Sequence, residues 1–502
     1  MVKIMNYFIS TRGDEQQFSS MEAILKGLSN DGGLFVPNKL PKIDYKDFIE
    51  QKSTFKDISA TILYSFFDEY NFKEIKDIVD NSYSSFDCNE VVPIKKIGEE
   101  YIAELFHGET LAFKDIALSV LPHLMSLALK KKQQNKNIFI LTATSGDTGS
   151  AALYGFKNID NIKICVFYPK IGISEIQKKQ MTNIEAKNVF VCGINGNFDD
   201  AQSGVKYIFN NIDKQKLQEK KIILSSANSI NIGRLIPQIA YYFYSYIELI
   251  NKKQIKEGEQ VNFCVPTGNF GNILAGYFAK LLGLPIKKLL CASNENNILT
   301  EFIETGIYNK NKIFKNTLSP SMDILVASNL ERLLYFISNK DTNFVKKCMK
   351  DLEINEKYEI DKSKLEKIQE NFSCDFTNDE DTKNTINYVF NKFKYTLDPH
   401  TAVGYNCIKK YKQKTKDKTK CVLLSTASPF KFTDTCLDSL HINTKQLNLV
   451  NKLEELSKLS NKDIPEQLQN ILNKNENFKD IIEKDKMMEY VLNCINNNKY
   501  EK

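Results

Sequence analysis

Between about residues 96 and 430, short runs rich in β-branched residues alternate with helical stretches: Ile138–Ala143, Ile162–Phe167, Val189–Cys192, Ile222–Leu224, Phe263–Val265, Leu289–Ala292 and Val422–Leu424. Strands separated by helices cannot pair through tight turns, so this alternation predicts parallel α/β sheets. Two of the runs lead into glycine-bearing segments that then open helix-like stretches, Thr142-Ala-Thr-Ser-Gly-Asp-Thr-Gly149 and Pro266-Thr-Gly-Asn-Phe-Gly-Asn272. In a strand–loop–helix turn of this kind, backbone N–H groups converge on an anion.

A third segment, Glu104-Leu-Phe-His-Gly-Glu-Thr-Leu-Ala-Phe-Lys114-Asp115, sets one lysine among apolar and small residues just before a helical run. An amine at its unperturbed pKa of about 10.4 is protonated at neutral pH, so Lys114 acts as a nucleophile only where burial or an existing Schiff base suppresses its charge. A lysine taken at random is a solvated surface group. The two anion loops elsewhere in the chain shift the reading towards a covalent catalyst.

At 502 residues the chain is long enough for two to four domains and an ample core, with 42% hydrophobic and 26% charged residues. A net charge of +6, from 68 basic and 62 acidic residues, is too small and scattered to point to nucleic acid. The 11 cysteines lie singly, with no Cys-x-x-Cys pair and no histidine at ligand spacing, which predicts a reducing compartment and no metal. His107, His123, His400 and His441 are too dispersed for a metal site. The longest apolar run, Leu235 to Ile250, is too short and tyrosine-rich to span a bilayer, so a soluble cytoplasmic protein without a membrane partner is expected.

Residues 1–95 read as a separate N-terminal domain of helices with aromatic-rich connectors. Residues 96–435 read as the α/β core in two subdomains, the smaller at about 125–230, and 436–502 as a C-terminal helical extension. The Lys-, Asn- and Glu-rich stretches 340–395 and 450–502 read as solvated helical insertions.

Motifs along most of the chain share one family's order. They are Tyr7-Phe-Ile-Ser-Thr-Arg-Gly13, Gly27-Leu-Ser-Asn-Asp-Gly-Gly-Leu-Phe-Val-Pro37, the lysine segment, the Ser-Gly-Asp-Thr-Gly loop, Gly196-Asn-Phe-Asp-Asp-Ala-Gln202 and Ser226-Ala-Asn-Ser-Ile-Asn-Ile-Gly-Arg234. The Gly-Asn-Phe-Gly loop, Asn294-Glu-Asn296, Ser319-Pro-Ser-Met-Asp323, Leu397-Asp-Pro-His-Thr-Ala-Val-Gly404 and Ser425-Thr-Ala-Ser-Pro429 follow. In these the chain resembles the threonine synthases, in the longer branch found in fungi and many bacteria. The first motif starts at Tyr7, so no leader is expected before it. The resemblance implies fold type II of the pyridoxal-phosphate enzymes, the tryptophan-synthase-β type, with two α/β domains and the cofactor between them.

It also implies roles residue by residue. Lys114 holds the cofactor's aldehyde carbon covalently and later moves protons at the substrate's α and β carbons. Gly268, Asn269, Phe270, Gly271 and Asn272 form the loop for the cofactor's phosphate. Thr426 presents a hydroxyl to the pyridine nitrogen and so does not enforce a protonated ring. Thr144, Ser145, Gly146 and Thr148 clasp the substrate's carboxylate, while Asp147 faces the cofactor ring's hydroxyl or caps the helix. Asn228, Ser229 and Arg234 cage the substrate's phosphate, the guanidinium binding it in bidentate fashion. Asp115 and Glu109 are helix-start or supporting groups. The chain departs from the family's pattern at Glu109, where proline is usual, at Asn272, where aspartate is commoner, and at Ser428, where histidine is usual.

The activity implied is conversion of O-phospho-L-homoserine and water to L-threonine and phosphate by a β,γ-replacement, in a monomer or homodimer with no nucleic-acid partner. Two alternatives carry different outcomes: a phospholyase of the same family that gives 2-oxobutyrate, and a catalytically silent binding protein on the same fold.

Overall fold

The computed structural model describes residues 6–133, 135–170, 172–472 and 474–496. The ends of the two terminal segments, and the leader expectation for the first residues, fall outside these. Every run read from the sequence as a strand is one, and each extends a little beyond its predicted limits. They build two sheets. The larger has the spatial order Phe372–Phe376, Ile286–Ser293, Val261–Pro266, Cys421–Ser425, Glu100–Glu104, Ile94–Ile97, parallel throughout except for the antiparallel last pair. The smaller runs Ile481–Ile482, Val189–Ile194, Ile162–Pro169, Asn137–Ala143, Ile222–Ser225 and is parallel throughout.

Helices cover both faces of a parallel sheet, so its central strands have no polar face. Val261–Pro266 and Cys421–Ser425 are buried at every position. The apolar run at 235–250 becomes the helix Ile239–Asn251, whose Tyr241, Tyr242 and Tyr246 are fully buried. Burying one large apolar side chain contributes about 1.5–3 kcal/mol, so a helix apolar on nearly all sides belongs in the middle of the core. Among the described residues no helix is long and apolar enough to cross a membrane.

Four regions differ from the sequence reading. Ile94–Ile97 and Glu100–Glu104, which no predicted run covers, form an antiparallel pair at one edge of the large sheet. The N-terminal segment is not helices alone: Phe18–Ser19, Tyr7–Ser10 and Phe35–Pro37 form a small antiparallel sheet beside its helices. The Lys- and Asn-rich stretch at 340–395 contains Phe372–Phe376, the edge strand of the large sheet, as well as helices. The C-terminal segment is helical at Leu449–Ser460, Glu466–Leu472 and Met487–Asn496, yet Ile481–Ile482 adds a strand to the small sheet against Gly193 and Ile194.

Candidate active site

Parallel strands all point their carboxyl ends the same way, and the loops leaving those ends are where an open α/β sheet binds ligands. Here the ends of Val261–Pro266, Cys421–Ser425, Asn137–Ala143 and Ile222–Ser225 lead into the segments singled out above, and these line one cavity of about 1340 Å³. Lys114, Thr144, Ser145, Thr148, Asn228, Ser229, Arg234, Gly268, Asn269, Phe270, Gly271, Asn272 and Thr426 are all on its wall. Asp147 stands behind that wall, against Lys114. Among the described residues the lining carries six lysines, Arg234 and the single carboxylate Asp323, a field suited to an anionic ligand.

Lys114 opens the helix Lys114–Leu118. Backbone pairing sets its position: Phe113 N–H donates to the Thr426 carbonyl at 2.9 Å and Ser428 N–H to the Leu111 carbonyl at 3.0 Å, an antiparallel bridge centred on Ala112 and Ala427. The turn before it is folded by Asp115, whose carboxylate accepts from Thr110 N–H at 2.8 Å and Thr110 O–H at 2.6 Å. A Cβ at Gly108 would meet that Asp115 side chain at 2.5 Å, so only glycine fits. Burial lowers the Lys114 amine from its ordinary value; Asp147 opposes that shift while the nearby cations Lys431 and Arg234 reinforce it.

Asp147 is the first residue of the helix Asp147–Phe156, and that helix has no side-chain cap. Of the two roles considered for it, capping is therefore not the one the geometry supports. Its carboxylate instead accepts from four groups: Gln177 Nε2 at 2.9 Å and Lys431 Nζ at 2.8 Å on Oδ1, Ser321 Oγ at 2.9 Å and Lys114 Nζ at 3.4 Å on Oδ2. Burial alone would raise this carboxyl, but Lys431 and then Lys114 hold it well below the usual carboxylate range. Thr144 Oγ accepts from the N–H groups of Gly146 and Gly149 at 2.9 and 2.8 Å, which shapes the loop and leaves its own O–H free to turn towards a ligand.

Gly268 lies so close to the Ser321 carbonyl that a Cβ would sit 2.7 Å from it. Phe270 is held in the left-handed region at φ 63°, an uncommon state for a bulky residue and one that clusters at functional sites. The helix Gly271–Leu281 that follows begins without a side-chain cap, leaving its first N–H groups for an anion. Asn272 Oδ1 accepts from the hydroxyls of Tyr241 at 2.5 Å and Tyr242 at 2.9 Å, while its buried Nδ2 has no partner in the protein. Two hydroxyl donors would serve an aspartate equally well, so the departure from the family's pattern leaves this bonding intact and adds a donor.

Arg234, in the helical turn Ile232–Leu235, is buried and donates through Nη1 to the Ala227 carbonyl at 2.8 Å. Its Nε has no partner and, among the described residues, no carboxylate pairs with it; burial pushes the guanidinium down to about 10. Arg234 Nε and Asn272 Nδ2 are thus two unsatisfied donors in residues on one cavity wall, each costly unless an anion meets it. A buried amine of lowered basicity, an uncapped helix start and these donors fit a phosphate-bearing aldehyde and a phosphate-bearing substrate.

His400, read from sequence as a supporting or structural residue, accepts through Nε2 from Ser321 N–H at 3.2 Å while Nδ1–H faces Asp398 Oδ1 at 2.8 Å. Other residues of the site were missed from sequence: Ser321, within a motif noted above, donates to Asp147. Asn329 Nδ2 donates to both Ser229 Oγ and the Asn269 carbonyl, each at 3.1 Å, joining the two anion loops. Lys431 is completely buried and was not singled out. His107 lies away from the cavity, between Asp87 Oδ1 at 2.6 Å and Glu104 Oε2 at 3.1 Å. Among the described residues no group of three or more His, Cys, Asp or Glu is placed to hold a metal ion.

Known proteins resemble the chain over most of its length. Residues 7–83 match the family model "Threonine synthase N terminus", and residues 401–491 match "Threonine synthase, C-terminal". Threonine synthase of Saccharomyces cerevisiae is 39% identical over 461 residues, 86% of this chain and 88% of that one. Threonine synthase-like 1 of Homo sapiens is 37% identical over 466 residues, 88% of this chain but 61% of that longer protein. The crystal structure of pyridoxal-phosphate-bound threonine synthase from Brucella melitensis superposes with a TM-score of 0.86 at 33% identity, covering 98% of this chain and 100% of that one.

Proposed function

The chain belongs to the threonine synthase family of fold type II, pyridoxal-phosphate-dependent lyases, and we propose that its substrate is O-phospho-L-homoserine, which it converts with water into L-threonine and phosphate. The observation that carries the substrate is Arg234: a buried guanidinium with, among the described residues, an unpartnered Nε and no carboxylate partner, on the wall of a cationic cavity that also holds a buried lysine. A phosphate monoester supplies the missing negative charge and the acceptors.

Pyridoxal phosphate, when bound, supplies an electron sink that stabilises negative charge on substrate carbon. Lys114 would hold its aldehyde carbon, the loop Gly268, Asn269, Phe270, Gly271 and Asn272 its phosphate, and Thr426 its ring nitrogen. Asp147, with all four of its acceptor positions engaged, would meet the ring's hydroxyl only by exchanging one of those partners. Thr144, Ser145 and Thr148 would take the substrate's carboxylate, and Asn228, Ser229 and Arg234 its phosphate, fixing the carbon chain between two anchors. Lys114, as a neutral amine, takes the α proton and then a β proton. Phosphate departs from the γ carbon and a proton is returned there; the hydroxyl of water then adds to the β carbon and a proton is returned to the α carbon. Arg234 steadies the leaving phosphate as its charge grows.

We also propose that residues 1–95 form the N-terminal domain, 96–435 the catalytic core and 436–502 an extension, that the protein is a monomer or homodimer, and that it works in the cytoplasm. Eleven unpaired cysteines, most of them buried, support a reducing compartment. The test of function is product identity. O-phosphohomoserine should yield threonine and phosphate in equal amounts; 2-oxobutyrate equal to phosphate would mean the phospholyase, and neither product a silent binding protein.

A further inference from the structure

The Asp147 carboxylate lies between two ammonium groups, and only one of their charges can be neutralised by it. Lys431, in the turn Pro429–Phe432, is completely buried; its Nζ is 2.8 Å from Asp147 Oδ1 and donates to the Thr110 carbonyl at 2.7 Å. Lys114 is on the other side of the same carboxylate, with Nζ 3.4 Å from Oδ2 and 3.3 Å from Ser321 Oγ, and its side chain opens into the cavity. Lys431 makes the shorter and better-bonded contact with the carboxylate; Lys114 is the looser partner and also faces Arg234, and burial lowers its amine. A lone buried lysine beside a carboxylate would stay charged.

We propose that Lys431 is a positioning residue of the reaction: by occupying Asp147 as its permanent ion-pair partner it keeps that carboxylate from holding a proton on Lys114. Lys114 is then left as the neutral amine that cofactor capture and proton transfer both require. This rests on the reading of Lys114 as the cofactor-bearing lysine. The charged and titratable groups facing Lys114 are Asp147 on the helix Asp147–Phe156, Lys431 on the turn Pro429–Phe432 and Arg234 on Ile232–Leu235. His400 is reached through Ser321, and Asp115, next along its own helix, is turned away to Thr110. Gln177 bonds the Lys431 side of the carboxylate and cannot supply a charge.

The test is the protonation midpoint of Lys114 in the full-length chain stripped of cofactor, read by competitive acetylation with acetic anhydride across pH and peptide mapping. Lys431→Met should raise that midpoint by about one unit or more, a roughly tenfold loss of Lys114 reactivity at neutral pH, and Lys431→Arg should not. In the reloaded enzyme the acidic limb of the kcat–pH profile should move upward with it. Adding Asp147→Asn to Lys431→Met should bring the midpoint back down, since no carboxylate then remains to hold the proton. Should Lys431→Met fail to fold, Lys431→Gln carries the same expectation. An unchanged midpoint in a folded variant, or one still raised in the double variant, overturns the proposal. Borohydride reduction of the loaded enzyme separates this from failure of the underlying reading: cofactor fixed on a lysine other than Lys114 removes the premise, whereas cofactor on Lys114 with an unmoved midpoint removes only the role of Lys431.

Discussion

Phe113 N–H donates to the Thr426 carbonyl at 2.9 Å, so the residue before the candidate catalytic lysine is stitched to the residue proposed to meet the cofactor's ring nitrogen. Neither residue can shift alone. The pairing also fixes where a new charge at position 426 would appear.

Thr426→Asp would place a carboxylate where a neutral hydroxyl is proposed and favour a protonated pyridine ring, changing the electron sink. Threonine formed per phosphate released should fall, and the fraction of cofactor converted to its amine form should rise. Thr426→Ser should be mild. Normal partitioning in the aspartate variant would mean that Thr426 is not beside that nitrogen.

Arg234→Ala should lower kcat/KM for O-phosphohomoserine by roughly thirty- to a thousand-fold, the kinetic equivalent of losing about 2–4 kcal/mol of charge-assisted contact. Cofactor retention should be close to unchanged, because the Gly268–Asn272 segment, not Arg234, is assigned to the cofactor's phosphate. Loss of cofactor with unaltered kinetics in the loaded fraction would show that the two anion sites had been interchanged.

Lys114→Ala should abolish threonine formation and the borohydride-stable cofactor adduct together. Peptide mapping of the reduced wild-type protein should find the cofactor on Lys114, which burial keeps less basic than an ordinary lysine.

Although burial would lower it, His107 is raised to about 9 by Asp87 and Glu104. A folded value above the ordinary 6.5 contributes stability that is complete below pH 6.5 and lost as pH rises through about 9. His107→Asn should therefore destabilise the protein by about 1–2 kcal/mol near pH 6 and by much less above pH 9.5, the partly exposed Asp87 moderating the effect. Denaturant midpoints at the two pH values give the comparison. An equal loss at both would assign His107 to packing alone.

Seven strands of the two sheets were legible in the sequence as β-branched runs between helical stretches, as at Ile162–Pro169, whereas Glu100–Glu104, buried at every position but beginning and ending in glutamate, was not. Phe372–Phe376 was not: an edge strand with a half-exposed pattern, set in a Lys- and Asn-rich stretch, has the composition of a solvated segment. Phe18–Ser19 and Phe35–Pro37 are too short to show any periodicity. The candidate site was legible wherever glycine and hydroxyl residues followed a strand. Lys431 was not, since a lysine in an otherwise unremarkable turn reads as surface, and the carboxylate that makes its burial tolerable is distant in the chain. Asn329 escaped for a related reason: its contacts with Ser229 and Asn269 exist only once two loops have been brought together.

The most direct measurement is turnover of O-phosphohomoserine in 18O-labelled water, with threonine and phosphate both analysed by mass spectrometry. Water adding to the β carbon and phosphate leaving by cleavage at carbon predict one labelled oxygen in the threonine hydroxyl for each phosphate released, with the phosphate itself unlabelled. Labelled phosphate accompanied by unlabelled homoserine would make the protein a phosphatase and contradict the account.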